Sequence, residues 1–227
     1  VALMFVAFLG SLTDLFVIAY IREVGGLNAV GYYTAGITIL VRYFGLIIAA
    51  LLTDYFPRVS AVNNDNLRLK DELNMQSTVS LVLFCPLVVV FILLTPFFVE
   101  LLYSEEFLPA VEFLKYAILG TFISIGTSQI DIILIAKHKI KLYGLLAISY
   151  RIFQVLMYNF SYNYYGLKGI GIAYSILNIC YFLTVYTLVI RLYKIKYENL
   201  SKKIAVIIII FMTGCSLLAS IPNSATK

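Results

Sequence analysis

The sequence predicts an all-α, polytopic transmembrane helix bundle of about seven spans, and three observations carry that prediction. The 227-residue chain is 62% hydrophobic and only 13% charged, against about 25% charged in an ordinary soluble domain. Its mean hydropathy is +0.95. Apolar runs of about 20 residues, long enough to cross a hydrocarbon core of about 30 Å, recur along the whole chain. Short alternating segments of about 10 residues, the mark of a transmembrane β-barrel, do not occur.

The spans follow from apolar length and from the Gly, Asn, Pro and charged residues that punctuate it. The first covers 1–20 and opens inside an apolar run, at Val1, with no basic region before it. No signal peptide is identified there, and the chain reads as a fragment whose N-terminus lies elsewhere. After "REVGGLNAVG" comes the second span, 31–53; after "DYFPRVSAVNNDNLRLKDELNMQ", the third, 79–99. Pro86 and Pro96 interrupt the third, which predicts a kink or break. "ELLYSEEFLP" leads to 112–136, "KHKIK" to 142–161, "NYYGLKG" to 169–190 and "RLYKIKYENLSKK" to 204–221. Gly45 with Ala49 and Gly169 with Ala173 are small residues four apart, read as ordinary close packing between helices. Cys85, Cys180 and Cys215 lie in apolar segments and suggest neither a disulfide framework nor a metal site. No loop is long enough to hold an extramembrane domain, so function resides in or beside the bilayer.

Charge orients the bundle. Arg58, Arg68 and Lys70 fall in the second loop, Lys137, Lys139 and Lys141 in the fourth, and Arg191, Lys194, Lys196, Lys202 and Lys203 in the sixth. The other side has only Arg22, Lys168 and Lys227, and its third loop is acidic through Glu100, Glu105 and Glu106. The positive-inside rule makes the basic side cytoplasmic. The net charge of +5 is accounted for by topology and implies no nucleic-acid partner. Tyr158, Tyr162, Tyr164 and Tyr165 cluster at an outer helix end, where an interfacial aromatic belt is expected.

Apart from Glu112 at the very start of its span, five charged residues fall inside the spans. Asp14 lies in "FLGSLTDLFVIAY" and Asp131 in "SIGTSQIDIILIAK"; Arg42 and Arg151 sit near mid-span, and Lys115 lies close enough to an outer end to snorkel. A mid-bilayer arginine costs at least about 2.5–3.5 kcal/mol on insertion scales, so it faces a protein interior or a wet cavity. Each acid has two readings: a polar knot that fixes helix packing, or a protonatable or cation-binding site. Arg42 likewise either answers Asp14 on the neighbouring span or lines a cavity for an anionic substrate. A planar guanidinium suits phosphate because it donates two parallel hydrogen bonds. His138, the one histidine, sits in the "KHKIK" loop and reads as solvated. No Gly-rich phosphate cradle, paired Cys or His spacing or nucleophile elbow is found, so no cofactor, metal or catalytic residue is expected.

Several stretches carry a resemblance. "GYYTAGITILVRYFGLIIAALLTDYFPRVS" resembles the eighth helix and following loop of bacterial O-antigen and related lipid-linked oligosaccharide flippases, polysaccharide biosynthesis proteins of the multidrug/oligosaccharidyl-lipid/polysaccharide exporter superfamily. "LLYSEEFLPAVEFLKYAILG" is similar to the turn entering that family's tenth helix, and "LIAKHKIKLYGLLAISY" and "YGLKGIGIAYSILN" to the segments around its eleventh and twelfth. Together they cover about residues 31–178 in the family's order. The resemblance implies a two-lobed transporter of 12 to 14 helices, with residues 1–227 forming a C-terminal lobe that lacks its N-terminal partner. Span 204–221 would be an additional helix. It further implies a cationic cavity for a polyprenyl-diphosphate-linked oligosaccharide, to which Arg42, Arg151 and Lys115 contribute, with Asp14 and Asp131 as ion-coupling acids.

The expected function is therefore a non-enzymatic flippase of the bacterial cytoplasmic (inner) membrane, working by alternating access on lipopolysaccharide or related precursors. Its expected partners are the lipid-linked oligosaccharide, membrane lipids, a polysaccharide polymerase and chain-length proteins. Two alternatives stand beside it. A multidrug or cation antiporter should show an acid-dominated cavity without mid-membrane arginine. A membrane polymerase or acyltransferase should bring a large outer loop or an intramembrane histidine.

Overall fold

A computed structural model describes residues 2–198 together with Val206 and Gly214. The described chain is helical almost throughout. Its helices are α1 (Ala2–Thr38), α2 (Phe44–Ala61), α3 (Asn66–Leu93), α4 (Thr95–Leu102), α5 (Ala110–Ala136) and α6 (Ile140–Tyr193). A π-helical turn, Ile39–Tyr43, joins α1 to α2, and a 3-10 turn, Glu105–Phe107, precedes α5. Four continuous stretches are long and apolar enough to cross a membrane: Met4–Ala61, Asn66–Leu93, Ala110–Ala136 and Ile140–Tyr193. The expected count of about seven is not confirmed. The seventh predicted span, 204–221, and with it Cys215, falls almost wholly outside the described residues.

Two of those four stretches are bent back on themselves by glycine. Gly26 has φ 77° and ψ −177°, and Gly166 φ 58° and ψ −142°. This region is closed to any side chain bearing a Cβ. Across Gly166, the Tyr150 ring packs at a tilt against Tyr181 and its hydroxyl meets Asn178, while Gly169 abuts the Ser161 carbonyl. Residues 140–165 and 167–193 are therefore two antiparallel limbs.

Cross-contacts fix the remaining directions. Val6 meets Gly144, Gly10 meets Arg151 and Tyr20 meets Asn159, so the first limb of α1 runs parallel to the first limb of α6. Gly36 meets Phe113, and Tyr55 and Val59 cluster with Ile130 and Leu134, so the chain beyond Gly26 runs parallel to α5. Phe113 meets Gly171 and Gly126 meets Phe182, so α5 is also parallel to the second limb of α6. The first five predicted boundaries after residue 20 thus correspond to real reversals, at 26, 62–65, 103–109, 137–139 and 166.

Local chemistry explains each break. Asp65 caps α3, its Oδ1 accepting from the amides of Leu67 (2.9 Å) and Arg68 (3.2 Å). Most of the segment read as a long second loop is helical, because α2 runs to Ala61 and α3 starts at Asn66. Of the two prolines in the third span, Pro86 stays inside α3, and the helix breaks at Leu94, just before Pro96 opens α4. After α5 the amides of His138 and Lys139 bond the carbonyls of Ile135 and Leu134. This is a Schellman closure with His138 in the left-handed position at φ 58°.

The three basic turns meet at one end, as charge patterning requires. Lys137 Nζ donates to Asn66 Oδ1 (2.7 Å) and lies 5.1 Å from the Tyr193 ring centroid, while Asn66 Nδ2 reaches the Tyr193 carbonyl (3.1 Å). Burial there draws the Lys137 ammonium below its usual range, with Asp65 pulling the other way. Arg58 bridges Glu72 and Gln76 at 2.7 Å each and ties α2 to α3. Away from these contacts the surface is apolar: Phe16, Leu46, Val82 and Phe160 are all largely exposed. So broad an apolar exterior suits lipid and not water.

Small residues behave unequally. Gly169 abuts Ser161 where the limbs of α6 meet, and Ala173 is buried in the core. A Cβ on Gly45 would meet nothing within 4 Å, so the Gly45–Ala49 pair packs against no neighbouring helix among the described residues. The tyrosine cluster also divides. Tyr164 and Tyr165 are exposed as a belt demands, but Tyr158 and Tyr162 are buried. Their spacing of four puts those two on the inward face of the limb.

Candidate functional site: a polar layer around Arg151

The first limbs of α1 and α6 bring two of the predicted residues together. Arg151 Nη1 stands 3.6 Å from Asp14 Oδ1 and donates to Gln154 Oε1 at 2.8 Å. The bidding between Arg42 and an ion for Asp14 thus has a third outcome: the counter-charge comes from Arg151. Gly10 makes the approach possible, since a Cβ there would lie 3.1 Å from Arg151 Nη2. The Arg151 side chain is 33% exposed and that of Asp14 59%, so the carboxylate lies on the open side of the pair. Gln154, behind the guanidinium, is buried.

Inward of this pair lies a layer of aromatic hydroxyls and amides. Tyr33 and Tyr158 are buried, on the second limb of α1 and the first of α6. Asn178 Nδ2 donates to the Tyr174 carbonyl (2.8 Å) and approaches the Tyr150 hydroxyl (3.4 Å). Thr121 Oγ1 lies 3.4 Å from the Tyr174 hydroxyl. Ser175 grips α5 directly: its hydroxyl donates to the Tyr116 carbonyl (2.5 Å) and accepts from the Gly120 amide (2.9 Å). These two groups are the ends of one rung of the α5 ladder, so a single side chain pins the two helices together.

Asp131 joins the far side of the same layer. Its carboxyl lies beside the hydroxyl of Tyr181, and its buried Oδ1 has no protein hydrogen-bond partner among the described residues. Tyr181 contacts Tyr150, with ring centroids 5.2 Å apart, which links Asp131 to the neighbour of Arg151. The remaining two predicted residues lie elsewhere. Arg42 is exposed on the π turn, whose Ile39 and Leu40 face the core. Lys115 is half-buried near the other end of α5, next to Tyr116, whose ring holds the Lys168 ammonium at 5.3 Å. Asp14, Arg151 and Asp131 therefore share one region that Arg42 and Lys115 do not join.

Gln154, Tyr33, Tyr150, Tyr174 and Asn178 are members of this layer that sequence reasoning passed over. A signal was present: positions 150, 154, 158 and 162 recur every four residues, as do 174 and 178. That spacing draws a polar stripe down one face of each limb.

Chemically the layer offers one partly exposed guanidinium, a weakly engaged carboxylate and a band of neutral donors and acceptors within an apolar shell. Such a set can receive an anion or exchange a cation. Residues 2–112 match the family model described as polysaccharide biosynthesis protein. This match, over just under half of the chain, supports a polysaccharide-biosynthesis, flippase-type family. It contains Asp14 and Arg42 and stops short of Lys115, Asp131 and Arg151. No curated protein shows a significant match to the chain, and no solved structure does. With its long apolar helices, the chain is a multi-pass membrane protein whose first half is similar to that family.

Proposed function

We propose that the chain forms one lobe of a flippase that carries polyprenyl-diphosphate-linked oligosaccharide units between the leaflets of a bacterial cytoplasmic membrane. The direction is from the basic, cytoplasmic end to the periplasmic one. The observation that carries this reading is Arg151: a guanidinium held partly open in the middle of an apolar bundle, in a chain whose first half matches a polysaccharide biosynthesis family. The diphosphate supplies the anion that such a cation attracts, and a bidentate guanidinium recognises it well. Arg42 and Lys115 add positive charge along the path of the headgroup, while the prenyl tail stays in lipid. An N-terminal lobe completes the cavity, and the two lobes rock about it in alternating access. Asp14 and Asp131 bias that motion through a coupling proton or cation, which must bind the two states with different affinity to do so. The protein acts without bond-making chemistry and passes its cargo to a polymerase and chain-length proteins.

The test uses the full-length gene in a strain lacking its own flippase. Wild type restores surface polysaccharide, and Arg151→Ala and Arg42→Ala lose most of that restoration while inserting normally. Restoration by Arg151→Ala equal to wild type refutes the cationic path. Failure of the wild type together with a rise in drug resistance favours the antiporter of the same superfamily.

A further inference from the structure

We infer that Asp14 is an internal stand-in for substrate phosphate. It neutralises Arg151 until a diphosphate headgroup arrives, and is then displaced from the guanidinium. The inference rests on the flippase reading above and specifies how its central arginine is loaded.

Three features of the pair point to exchange and away from a fixed structural bridge. The first is distance. At 3.6 Å the Arg151–Asp14 contact is an ion pair without a hydrogen bond, whereas the same nitrogen holds Gln154 at 2.8 Å. Gln154 anchors the guanidinium; Asp14 only balances its charge. The second is placement. Asp14 is the more exposed partner, at 59% against 33%, so an anion approaching Arg151 from the open side meets the carboxylate first. The third is the floor of the site. The guanidinium packs on Gly10, where a Cβ would crowd Nη2 at 3.1 Å, so no side chain at position 10 holds it against Asp14.

Physical chemistry favours the swap. An arginine at this depth is costly to leave uncompensated, so the empty lobe needs a resident anion. A carboxylate brings one negative charge, while a diphosphate brings more charge and can engage two guanidinium nitrogens in parallel. The displaced carboxylate is then the group a coupling cation meets, so that loading of substrate and loading of the ion become one event. Arg42, exposed on its π turn, has no such resident acid in any ion pair among the described residues.

The experiment measures binding of farnesyl diphosphate, with farnesyl monophosphate as the weaker probe, to purified full-length protein in lipid nanodiscs. Asp14→Asn removes the competitor and is expected to tighten farnesyl diphosphate binding about tenfold, within the 5–150-fold span typical of coupled sites. Arg151→Gln is expected to weaken it about tenfold or more and to abolish the gain from Asp14→Asn in the double variant. Asp14→Glu, which keeps the charge and extends its reach, should weaken binding below wild type. It serves as the second arm if either neutral variant fails to fold. Unchanged or weaker binding in Asp14→Asn, or a gain that persists with Arg151→Gln, overturns the exchange. If the exchange is seen but the wild type fails to restore polysaccharide, the flippase reading falls and the site stands. If polysaccharide is restored and Asp14→Asn binds as wild type, the exchange falls and the flippase reading stands.

Discussion

Replacing Gly120 with alanine tests whether the α5–α6 contact is as unforgiving as its geometry indicates. A Cβ at 120 would lie 2.7 Å from Tyr174 Cδ1 and 2.9 Å from Ser175 Cα. The ring can swing; the backbone atom cannot. The two helices must therefore part by several tenths of an ångström, which also stretches the 2.9 Å bond from the Gly120 amide to the Ser175 hydroxyl. Overpacking of this kind costs about 1–3 kcal/mol. Against it stands the gain in helix propensity, about 1 kcal/mol for Gly→Ala. The balance is a loss of up to about 2 kcal/mol. Gly45→Ala supplies the control, because its Cβ would meet nothing within 4 Å and only the propensity gain applies. The chain has no tryptophan, so thermal unfolding in detergent is followed by far-ultraviolet circular dichroism. At about 2–4 °C per kcal/mol for a chain of this size, Gly120→Ala should melt several degrees below wild type and Gly45→Ala at or slightly above it. If the two variants move together, or Gly120→Ala melts no lower than wild type, packing between α5 and the second limb of α6 does not limit stability.

Three further outcomes follow from particular contacts. Arg58→Ala should cost about 1–2 kcal/mol, a charged hydrogen-bond value discounted for partial exposure, and speed proteolysis of the α2–α3 turn. Asp54→Ala, which removes the 81%-exposed partner, should change the melting temperature little. His138→Gly relieves a left-handed backbone at φ 58°, and should raise stability by about 1 kcal/mol, read in the same melt. Ser175→Ala gains a little helix propensity but removes both bonds to α5. It should cost about 0.6 kcal/mol and at most about 1.7, and a double variant with Gly120→Ala should be less than additive because both changes act on one contact.

Much of the fold was legible because lipid imposes a length on apolar segments. Reversals near 26, 103–109, 137–139 and 166 fall where Gly, Pro and charge interrupt those segments, and the basic turns gather at one end as the charge asymmetry required. Two things were misread locally. Residues 54–61 and 66–78 looked like loop because they are polar, yet a helix that leaves the bilayer can stay helical when Asp65 caps the next one. Tyr158 and Tyr162 looked like belt residues beside Tyr164 and Tyr165, because adjacency in sequence hides the turn of about 100° per residue that sends Tyr164 to another face and the reversal at Gly166 beside which Tyr165 is exposed.

For the site, the sequence by itself determined which residues need explaining. Asp14, Arg42, Asp131 and Arg151 are conspicuous because each carries charge into a medium that penalises it. It could not determine their partners. Asp14 and Arg42 are close along the chain and invite pairing, but the reversal at Gly26 and the π turn present Arg42 on the exposed surface. The parallel packing of the first limbs of α1 and α6 instead delivers Arg151, 137 positions away in the sequence, to Asp14. Burial is a cost written in composition, and so it can be read from one chain. Compensation for that cost is a contact between distant segments, and only the packed bundle decides it.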